Sequence, residues 1–452
     1  MKSTSLISIV FALSLTATPV ALAAPAAHND PTDEYLVMLA EHEQRSWKEV
    51  FSDVGILARE SKTPNSWTSD VGQSIKTSGT HLRIFTLKMK RSESVSMLSH
   101  PSIVAADTVH PISYDVHINT DYIAPDETVS YNPKEKRQQE QLQGKMETRR
   151  QTTAPWNLER ISTGQKAQKT NHKSTTSLDY TYKFVQGDGI GTDVYVLDTG
   201  INAQHKDFGG RAKSLWSFLN DNSKDIEGHG THCAGTVGSN TYGVAKNANI
   251  WGVKIQGPGA HSGTVIQGID AVIARHNQVK TKPDFRGSVM SMSFSNTGDY
   301  SPEFEAIRRA LDAGIHIAVS AGNQNKDACD YRPARYSKKL PIVTVGASDI
   351  NDIRMNLKPT FASNYGSCVT VHGPGVDIIS TYIGSVDETH SMSGTSMSAP
   401  AVAGMMAVEL SRNTKLKLDP KGLRDLLLSR SLPNAVQGAK GGTGMINNGF
   451  RN

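Results

Sequence analysis

The chain has 452 residues, which is too long for one small domain and fits two domains of unequal size. It carries 48 basic and 43 acidic residues, and the net charge of +5 is too small to indicate a nucleic-acid partner. Hydrophobic residues make up 37% of the chain, enough for a substantial core, and three cysteines are too few for a disulfide-rich scaffold.

The amino terminus has the pattern of a secretory signal peptide over residues 1–23. Lys2 supplies the positive start, residues 6–15 form the apolar centre, and Ala21-Leu22-Ala23 is a small-residue cleavage site. The apolar run is too short for a membrane anchor, and no other stretch of the sequence has the length of a membrane span. We therefore predict entry into the secretory pathway and no membrane partner.

Residues 24–116 are predicted to form a small α+β domain. Three stretches have the pattern of strands, namely residues 34–39, 81–87 and 103–109. Residues 46–58 predict an amphipathic helix, and residues 92–99 could form a second one. The apolar face of the first helix carries Trp47, Val50, Phe51, Val54 and Leu57.

Residues 117–151 are predicted to be a charged linker that is open to proteolysis. From residue 131 onward the linker is rich in Lys, Arg, Glu and Gln and almost free of apolar residues. It contains the dibasic pairs Lys136-Arg137 and Arg149-Arg150, which processing proteases could cut. An exposed charged helix without function explains the composition equally well.

From residue 152 to the end the composition is that of a globular domain. Apolar runs of strand length alternate with helical patterns, which favours a mainly parallel sheet between two layers of helices. The predicted strands are residues 194–197, 250–253, 288–294, 315–319 and 342–345, and the clearest helices are residues 265–276 and 302–313. In such sheets the functional site lies at the carboxyl ends of the strands.

Ser396 lies among small residues, directly before the apolar run of residues 401–408, which predicts a buried helix. Pro400 suits the first turn of that helix, so Ser396 is expected at or just before its N-terminus. Unpaired backbone N–H groups and the helix dipole would stabilise an oxyanion formed there. A serine that merely caps a core helix is the alternative.

Three further residues could complete a catalytic group with such a serine. Asp198 and Asn323 each directly follow an apolar strand, and either one could instead be an ordinary turn residue. His229 lies in a segment of glycines and small residues that allows close packing of a helix start. A side-chain amide at Asn323 could donate a hydrogen bond to an oxyanion.

The same segment contains two residues that suggest other chemistries. His232 follows His229 at a spacing of three, but the zinc-protease pattern His-Glu-x-x-His is missing, so a packed core histidine is predicted. Cys233 is interpreted as a buried small hydrophobe rather than a nucleophile.

Asp198, His229 and Ser396 follow one another in the order of a known catalytic triad. With Asn323 they lie in motifs through which the chain resembles the subtilisin-like serine proteases, in the proteinase K branch and particularly its fungal cerevisin-like members. The matching stretches are residues 195–200, 228–236, 321–323 and 394–397, with support from residues 154–156, 208–212, 344–348 and 363–366. The resemblance covers residues 154–410 well, the C-terminal part weakly, and residues 34–115 resemble the inhibitory propeptide through weaker motifs.

The resemblance implies a three-layer α/β catalytic domain over residues 152–452, preceded by the small α+β domain as an inhibitory propeptide. It implies that Ser396 is the nucleophile, that His229 is the general base, and that Asp198 orients the imidazole. The side chain of Asn323 and the N–H of Ser396 would hold the oxyanion.

Substrate binding is likewise implied by the resemblance. A substrate would lie as an extended strand beside Ser293, Phe294 and Ser295, and the loop of residues 257–263 could also lie beside it. Ser295 and Gly322 would line the pocket for the residue before the scissile bond. Most family members have glycine at the position of Ser295, so a narrower pocket is expected here. The alternative is that the Ser295 side chain turns outward and the pocket accepts aromatic residues as usual.

The predicted function is therefore a serine endopeptidase of broad specificity, made as a zymogen and released to the exterior or to a vacuole lumen. Its expected partners are protein and peptide substrates and its own propeptide, and we expect a monomer without cofactor, metal or nucleic acid. The alternative is a catalytically inactive binding protein with the same fold.

Two further expectations concern stability. Thr370 stands where many secreted family members have a calcium-binding aspartate, so that calcium site should be weak or absent. Cys329 and Cys368 lie in loops that follow sheet elements, so a disulfide between them is predicted, with Cys233 left as a free thiol.

Overall fold

The computed structural model describes residues 32–53, 82–91, 94, 97–112, 117–122, 124, 147–167 and 174–451. The predicted signal peptide, residues 54–58 of the first predicted helix, half of the second one (residues 92, 93, 95 and 96) and residues 131–146 of the predicted linker lie outside the described residues.

In chain order the helices and strands are β1 (Thr32–Leu39), α1 (Trp47–Asp53), β2 (Ile84–Lys90), β3 (Ile103–Thr108), β4 (His117–Ile118), β5 (Thr148–Ala154), α2 (Trp156–Ile161), β6 (Tyr180–Val185), β7 (Thr192–Asp198), β8 (Ala212–Ser217), α3 (His229–Gly238), β9 (Asn249–Lys254), α4 (Ser262–Val279), β10 (Gly287–Met292), β11 (Asn296–Thr297), α5 (Ser301–Asp312), β12 (His316–Ser320), β13 (Tyr331–Arg332), β14 (Val343–Ser348), β15 (Asn356–Lys358), β16 (Phe361–Ala362), β17 (Val371–Pro374), β18 (Ile378–Thr381), β19 (Thr389–Ser393), α6 (Thr395–Arg412) and α7 (Pro420–Arg430).

A seven-stranded parallel sheet lies at the centre, in the order β17-β14-β12-β10-β7-β9-β8. Successive side chains of a strand point to opposite faces, and strand β7 buries both sets. Val194 and Val196 pack with residues of α2, α3, α6 and α7, whereas Tyr195 and Leu197 pack with residues of α4 and α5. Helices therefore cover both faces, and the predicted three-layer α/β fold is confirmed.

The amino-terminal residues form a separate antiparallel sheet in the order β2-β1-β3. The side chains of strand β1 belong to two different hydrophobic cores. Tyr35, Val37 and Leu39 pack on Val50 and Phe51 of α1 and other residues of the same unit. Leu36 and Met38 join the core formed with helices α4 and α5, so the amino-terminal sheet is laid directly onto the large domain.

Two local predictions differ from the structure. Two parts of the predicted linker are strands: residues 117–118 form β4, which pairs with β19, and residues 148–151 belong to β5, which pairs with β6. Most side chains of β5 are exposed, so its polar composition resembles that of a linker although its backbone is paired. Pro400 lies in the second turn of helix α6, which begins at Thr395 rather than close to the proline.

The predicted disulfide between Cys329 and Cys368 is confirmed, and Cys233 is a buried free thiol. None of the helices in the described part of the chain is long and apolar enough to span a bilayer.

Candidate active site

Asp198 and His229 meet where strand β7 ends and helix α3 begins. Asp198 is the last residue of the strand and His229 the first of the helix. A β-carbon at Gly230 would lie 2.1 Å from the carbonyl oxygen of Gly200, so only glycine lets the helix approach the strand end this closely. The distance from Asp198 Oδ1 to His229 Nδ1 is 2.6 Å, and both side chains are buried.

A second buried carboxylate, Asp225, fixes this helix start. One of its oxygens accepts hydrogen bonds from Thr199 Oγ1, Glu227 N and Gly228 N, and the other accepts from Thr231 N and Oγ1. Thr199 Oγ1 in turn accepts from the N–H of Gly230. The first turn of α3 is therefore tied to the residue that follows Asp198.

Asp225 was missed by the sequence analysis. Its signal was an acidic residue four positions before His229, which can satisfy the unpaired N–H groups of a helix start. Such a residue in a polar loop resembles an ordinary turn former, so the pattern alone did not single it out.

Ser396 lies in the first turn of helix α6, as predicted from its neighbours. Because Pro400 has no N–H, the carbonyl of Ser396 lacks its usual partner within the helix. That carbonyl instead accepts hydrogen bonds from Ser293 Oγ at 3.0 Å and from Cys233 Sγ at 3.4 Å. The proline thus frees a carbonyl that links the first turn of α6 to helix α3 and to the end of strand β10.

The hydroxyl of Ser396 donates to the carbonyl oxygen of Ser293 at 3.3 Å. A serine hydroxyl rotates readily, and catalytic hydrogen bonds of enzymes without substrate are often not yet formed. Cys233 lies one helical turn after His229 and contacts Ser396, so the first turns of α3 and α6 adjoin at this point.

Asn323 lies after strand β12, and its side chain is held by the first residue of helix α6. Its Oδ1 accepts hydrogen bonds from both N and Oγ1 of Thr395, each at 2.9 Å. These two bonds orient the amide with its oxygen toward Thr395. Its NH₂ group, on the other arm of the planar amide, is thereby directed away from these Thr395 donors, in an orientation suited to donating to an anion.

The ionisation states of His229, Cys233 and His232 follow from burial and from nearby charges. Burial lowers the pKa of His229, but the carboxylate of Asp198 outweighs it and holds that pKa well above the ordinary value of 6.5. Burial raises the pKa of the Cys233 thiol, which therefore stays protonated and weakly reactive. Burial also lowers the pKa of His232 to about 3, and its neutral ring donates from Nε2 to the carbonyl of Ile378, as a packed core histidine does.

Asp198, His229 and Cys233 are also the one cluster of possible metal ligands among the described residues. Its carboxylate and imidazole already bond to each other, and its thiol is protonated and donates to Ser396. The arrangement therefore suits proton transfer better than metal binding.

The residues predicted to bind substrate lie next to Ser396. Ser293, Phe294 and Ser295 continue from strand β10, and the ring of Phe294 is buried in the core, which leaves only its backbone for a substrate. Ser295 Oγ accepts a hydrogen bond from Gln324 Nε2 at 3.3 Å. A β-carbon at Gly322 would lie 2.4 Å from Asn364 Nδ2, 2.7 Å from Gln324 Oε1 and 3.1 Å from Ser295 Oγ, so the Ser295 side chain lies close to Gly322.

Comparison with known proteins agrees with this geometry. The model of the subtilase family matches residues 189–451. Subtilisin-like protease 3 of Saccharomyces cerevisiae is 43% identical over 269 residues, covering 58% of this chain and 52% of that protein, and cerevisin of the same yeast is 43% identical over 272 residues, covering 58% and 39%. Subtilisin-like serine protease Rho m 2.0101 of Rhodotorula mucilaginosa is 43% identical over 267 residues, covering 57% and 72%.

Among solved structures, the crystal structure of a cold adapted subtilisin-like serine proteinase is similar, with a TM-score of 0.55 and 35% identity over 66% of this chain and 98% of that one. This chain spans about half the length of the first curated relative it matches.

Proposed function

The chain belongs to the subtilase family, and on that premise we propose that it is a serine endopeptidase made as a zymogen, which hydrolyses proteins with broad specificity through an acyl-enzyme. The observation that carries the proposal is the 2.6 Å contact between Asp198 Oδ1 and His229 Nδ1, at a helix start that adjoins the one bearing Ser396. Asp225 and Pro400 support the same reading, because both serve to hold these helix starts in place.

In this mechanism the roles of the triad follow from its hydrogen bonds. The Nδ1–H of His229 donates to Asp198, which leaves Nε2 as the base that takes the proton of Ser396. The hydroxyl oxygen attacks the substrate carbonyl, and the imidazolium returns the proton to the leaving amine. Asp198 stabilises the imidazolium, in keeping with the raised pKa of His229.

The oxyanion would be held by the side chain of Asn323 and the N–H of Ser396. Thr395 fixes the asparagine amide before substrate arrives, so little reorganisation is needed when charge develops. Losing one such donor typically costs about 3 kcal/mol of transition-state stabilisation.

Broad specificity is supported by the way substrate would bind. An added strand beside Ser293, Phe294 and Ser295 is held through its backbone, which every amino acid shares. Proteins and peptides are therefore the proposed substrates, and the positions of Ser295 and Gly322 offer no charge to select among them.

The amino-terminal unit is proposed to be an inhibitory propeptide. Its contacts with the large domain run from helix α4 to the neighbouring loop: Asp270 Oδ1 accepts from Leu82 N, and the carbonyl of His110 accepts from Ser262 N. Pro111 forms an antiparallel bridge with His261, in the loop predicted to flank a substrate. The described part of the unit thus reaches the loop beside which a substrate strand would lie.

We further propose that the protein is a monomer released to the exterior, with the vacuole lumen as alternative. The Cys329–Cys368 disulfide supports an oxidising compartment of either kind.

A fluorophosphonate probe tests the proposed function, because it labels only an activated serine. The wild-type protein should be labelled, whereas Ser396→Ala should be neither labelled nor able to process its own precursor. A wild-type protein that resists the probe would favour the alternative of an inactive binding protein. Normal maturation of Ser396→Ala without other proteases would contradict self-processing and leave the dibasic pairs as the cut sites.

Two reagents separate the remaining chemistries. A chelator should leave activity unchanged if the enzyme is not a zinc peptidase. Iodoacetamide should leave it unchanged as well, since Cys233 is buried and protonated. If either reagent inactivated the enzyme and the fluorophosphonate probe did not label Ser396, the serine mechanism would be overturned.

A further inference from the structure

Residues 117–122, which we call the strap, lie against the strand that leads to Ser396. His117 and Ile118 of strand β4 pair antiparallel with Ser393 and Met392 of β19, and the N–H of Asn119 donates to the carbonyl of Ser391 at 3.0 Å. Strand β19 ends three residues before Ser396. The strap therefore takes up the edge of β19 opposite β18, on the strand that leads to the nucleophile.

Tyr122 anchors the end of the strap on an aromatic surface. Its ring stacks on His390, with 5.5 Å between the ring centroids and 24° between the planes. Its hydroxyl shares a hydrogen bond with Thr389 Oγ1 at 2.8 Å. Tyr382 meets the same histidine edge-on at 4.9 Å. The strap is thus fixed both by backbone pairing and by one side chain.

The direction of the chain shows which side of the active site the strap covers. Pro111 is bridged to His261, beside the part of the cleft proposed for residues before the scissile bond. His117 is paired beyond it, next to Ser393. A chain that crosses a protease site passes from the acyl side to the leaving-group side, so the strap lies on the leaving-group side.

We propose that residues 117–122 are a second inhibitory element, distinct from the amino-terminal domain, which covers the leaving-group side of the active site and remains there after the chain has been cut ahead of residue 117. The proposal rests on the proposed endopeptidase function. It implies two steps of activation: the first cut frees the acyl side, and the leaving-group side opens only when the strap is released. It also implies that the edge of β19 and the ring of His390 receive residues downstream of the scissile bond in protein substrates.

Two substrates distinguish the strap from a general loss of activity. One is a short peptide p-nitroanilide, which has no residue after the scissile bond, and the other is an internally quenched peptide that extends at least six residues beyond it. The test uses protein cut ahead of residue 117 with the strap still attached, checked by mass. It should hydrolyse the short substrate at the rate of the fully processed enzyme and the extended one about tenfold more slowly, because a ring stack and a hydrogen bond hold the strap.

Variants of the strap assign the effect to its anchor. Tyr122→Ala should restore hydrolysis of the extended substrate, and Tyr122→Phe should restore it only in part because the stack remains. The exposed neighbour gives a matched control, so Asp121→Ala should behave as wild type. Equal ratios of the two rates in wild type and Tyr122→Ala would overturn the proposal.

A synthetic peptide with the sequence of residues 117–124, HINTDYIA, provides a measurement that is independent of folding. Added to the fully processed enzyme, it should inhibit hydrolysis of the extended substrate but not of the short one, and its tyrosine-to-alanine version should be about tenfold weaker. If the peptide inhibited hydrolysis of both substrates equally, or of neither, the inhibitory role of the strap would be overturned. Hydrolysis of the short substrate by the processed enzyme would still support the proposed protease function. Failure of the processed enzyme to cut either substrate would overturn both.

Discussion

In the proposed triad, His229 is expected to determine how activity depends on pH. The carboxylate of Asp198 outweighs the effect of burial and holds the histidine pKa well above 6.5. A general base must be neutral, so we expect kcat/KM to fall as the pH drops through that raised pKa. Asp198→Asn should move the midpoint of the kcat/KM profile to lower pH as well as reducing the rate, because the imidazolium loses its partner. An unchanged midpoint would show that another group governs the profile.

Ser295 is expected to set the size of the residue accepted before the scissile bond. Its hydroxyl is held by Gln324 on the side facing Gly322, which narrows the space for a ring. An uncharged pocket also disfavours Lys, Arg, Asp and Glu, because burying an unpaired charge costs several kcal/mol. We therefore expect Leu, Met and Ala to be preferred over Phe and Tyr.

Peptides varied at that single position measure the preference. Ser295→Gly should improve kcat/KM for Phe by about tenfold, since a methylene-sized change in fit is worth about 1–3 kcal/mol. Ser295→Ala is the matched control, which keeps the β-carbon and removes the hydroxyl. A wild-type enzyme that already prefers Phe, with no change in the glycine variant, would contradict this role of Ser295.

At the residue scale, the proposed reactive groups were easier to predict than the groups that hold them. Ser396, His229 and Asp198 each had an ordinary alternative, but their motifs follow one another in the order of a known triad. The roles of Asp225 and of Pro400 depend on partners distant in sequence, such as Thr199 and Ser293. A pattern read along one chain does not show which loop will supply those partners.

At the scale of elements, Thr370 forms a hydrogen bond between neighbouring strands, at the position where the resemblance implies a calcium ligand in many family members. It directly precedes strand β17, and its hydroxyl donates to the carbonyl of Thr344 in β14 at 2.8 Å. A neutral hydroxyl that is already engaged is a poor ligand for a hard cation. We therefore expect a chelator to lower the melting temperature by less than about 2 °C.

The variant Thr370→Asp provides a second test of the predicted lack of calcium binding at this position. It should be destabilised without calcium, because a carboxylate then faces a carbonyl oxygen, and it should regain stability when calcium is added. Thr370→Val, which lacks a ligand altogether, should show no response to calcium. A large loss of stability in the chelated wild type would mean that another calcium site exists.

Whether a strand was predicted depends largely on its place in the sheet. Strands β7, β9, β10, β12 and β14 lie inside the sheet and carry apolar runs that were predicted close to their observed bounds. Strands β8, β17 and β5 were missed, as were β6, β18, β19 and the strands of two or three residues. β8 and β17 lie at the edges of the central sheet and β5 pairs with β6 alone, so a strand there can be short or polar and still be held by backbone pairing.

At the scale of the whole molecule, one hydrophobic core is shared by the amino-terminal unit and the large domain. Leu36, Met38 and Ile84 pack in the same cluster as Ile266 of α4 and Ile307 of α5. The sequence predicted both domains but not this shared core. An apolar face can be recognised in each element by itself, but the sequence does not show which other element it packs against. Release of the unit therefore has to expose apolar surface, which opposes dissociation.

Asp270 is expected to strengthen the hold of the amino-terminal unit on the large domain. Its buried Oδ1 accepts the N–H of Leu82 at 2.8 Å, across the boundary between the two units. A hydrogen bond to a charged group contributes about 1.5–3 kcal/mol, so Asp270→Ala should weaken inhibition by the released amino-terminal segment by about 10- to 100-fold.

The measurement is the inhibition constant of that segment against processed enzyme. Gln278→Ala is the control, since Gln278 is exposed on the same helix. Neither substitution should change kcat/KM of the processed enzyme for a short peptide, because helix α4 lies outside the triad. If Asp270→Ala left the inhibition constant unchanged, the apolar core alone would account for the binding, and the polar contact would serve only to satisfy the backbone of Leu82. If it lowered kcat/KM as well, Asp270 would be acting on the catalytic domain itself rather than on its inhibitor.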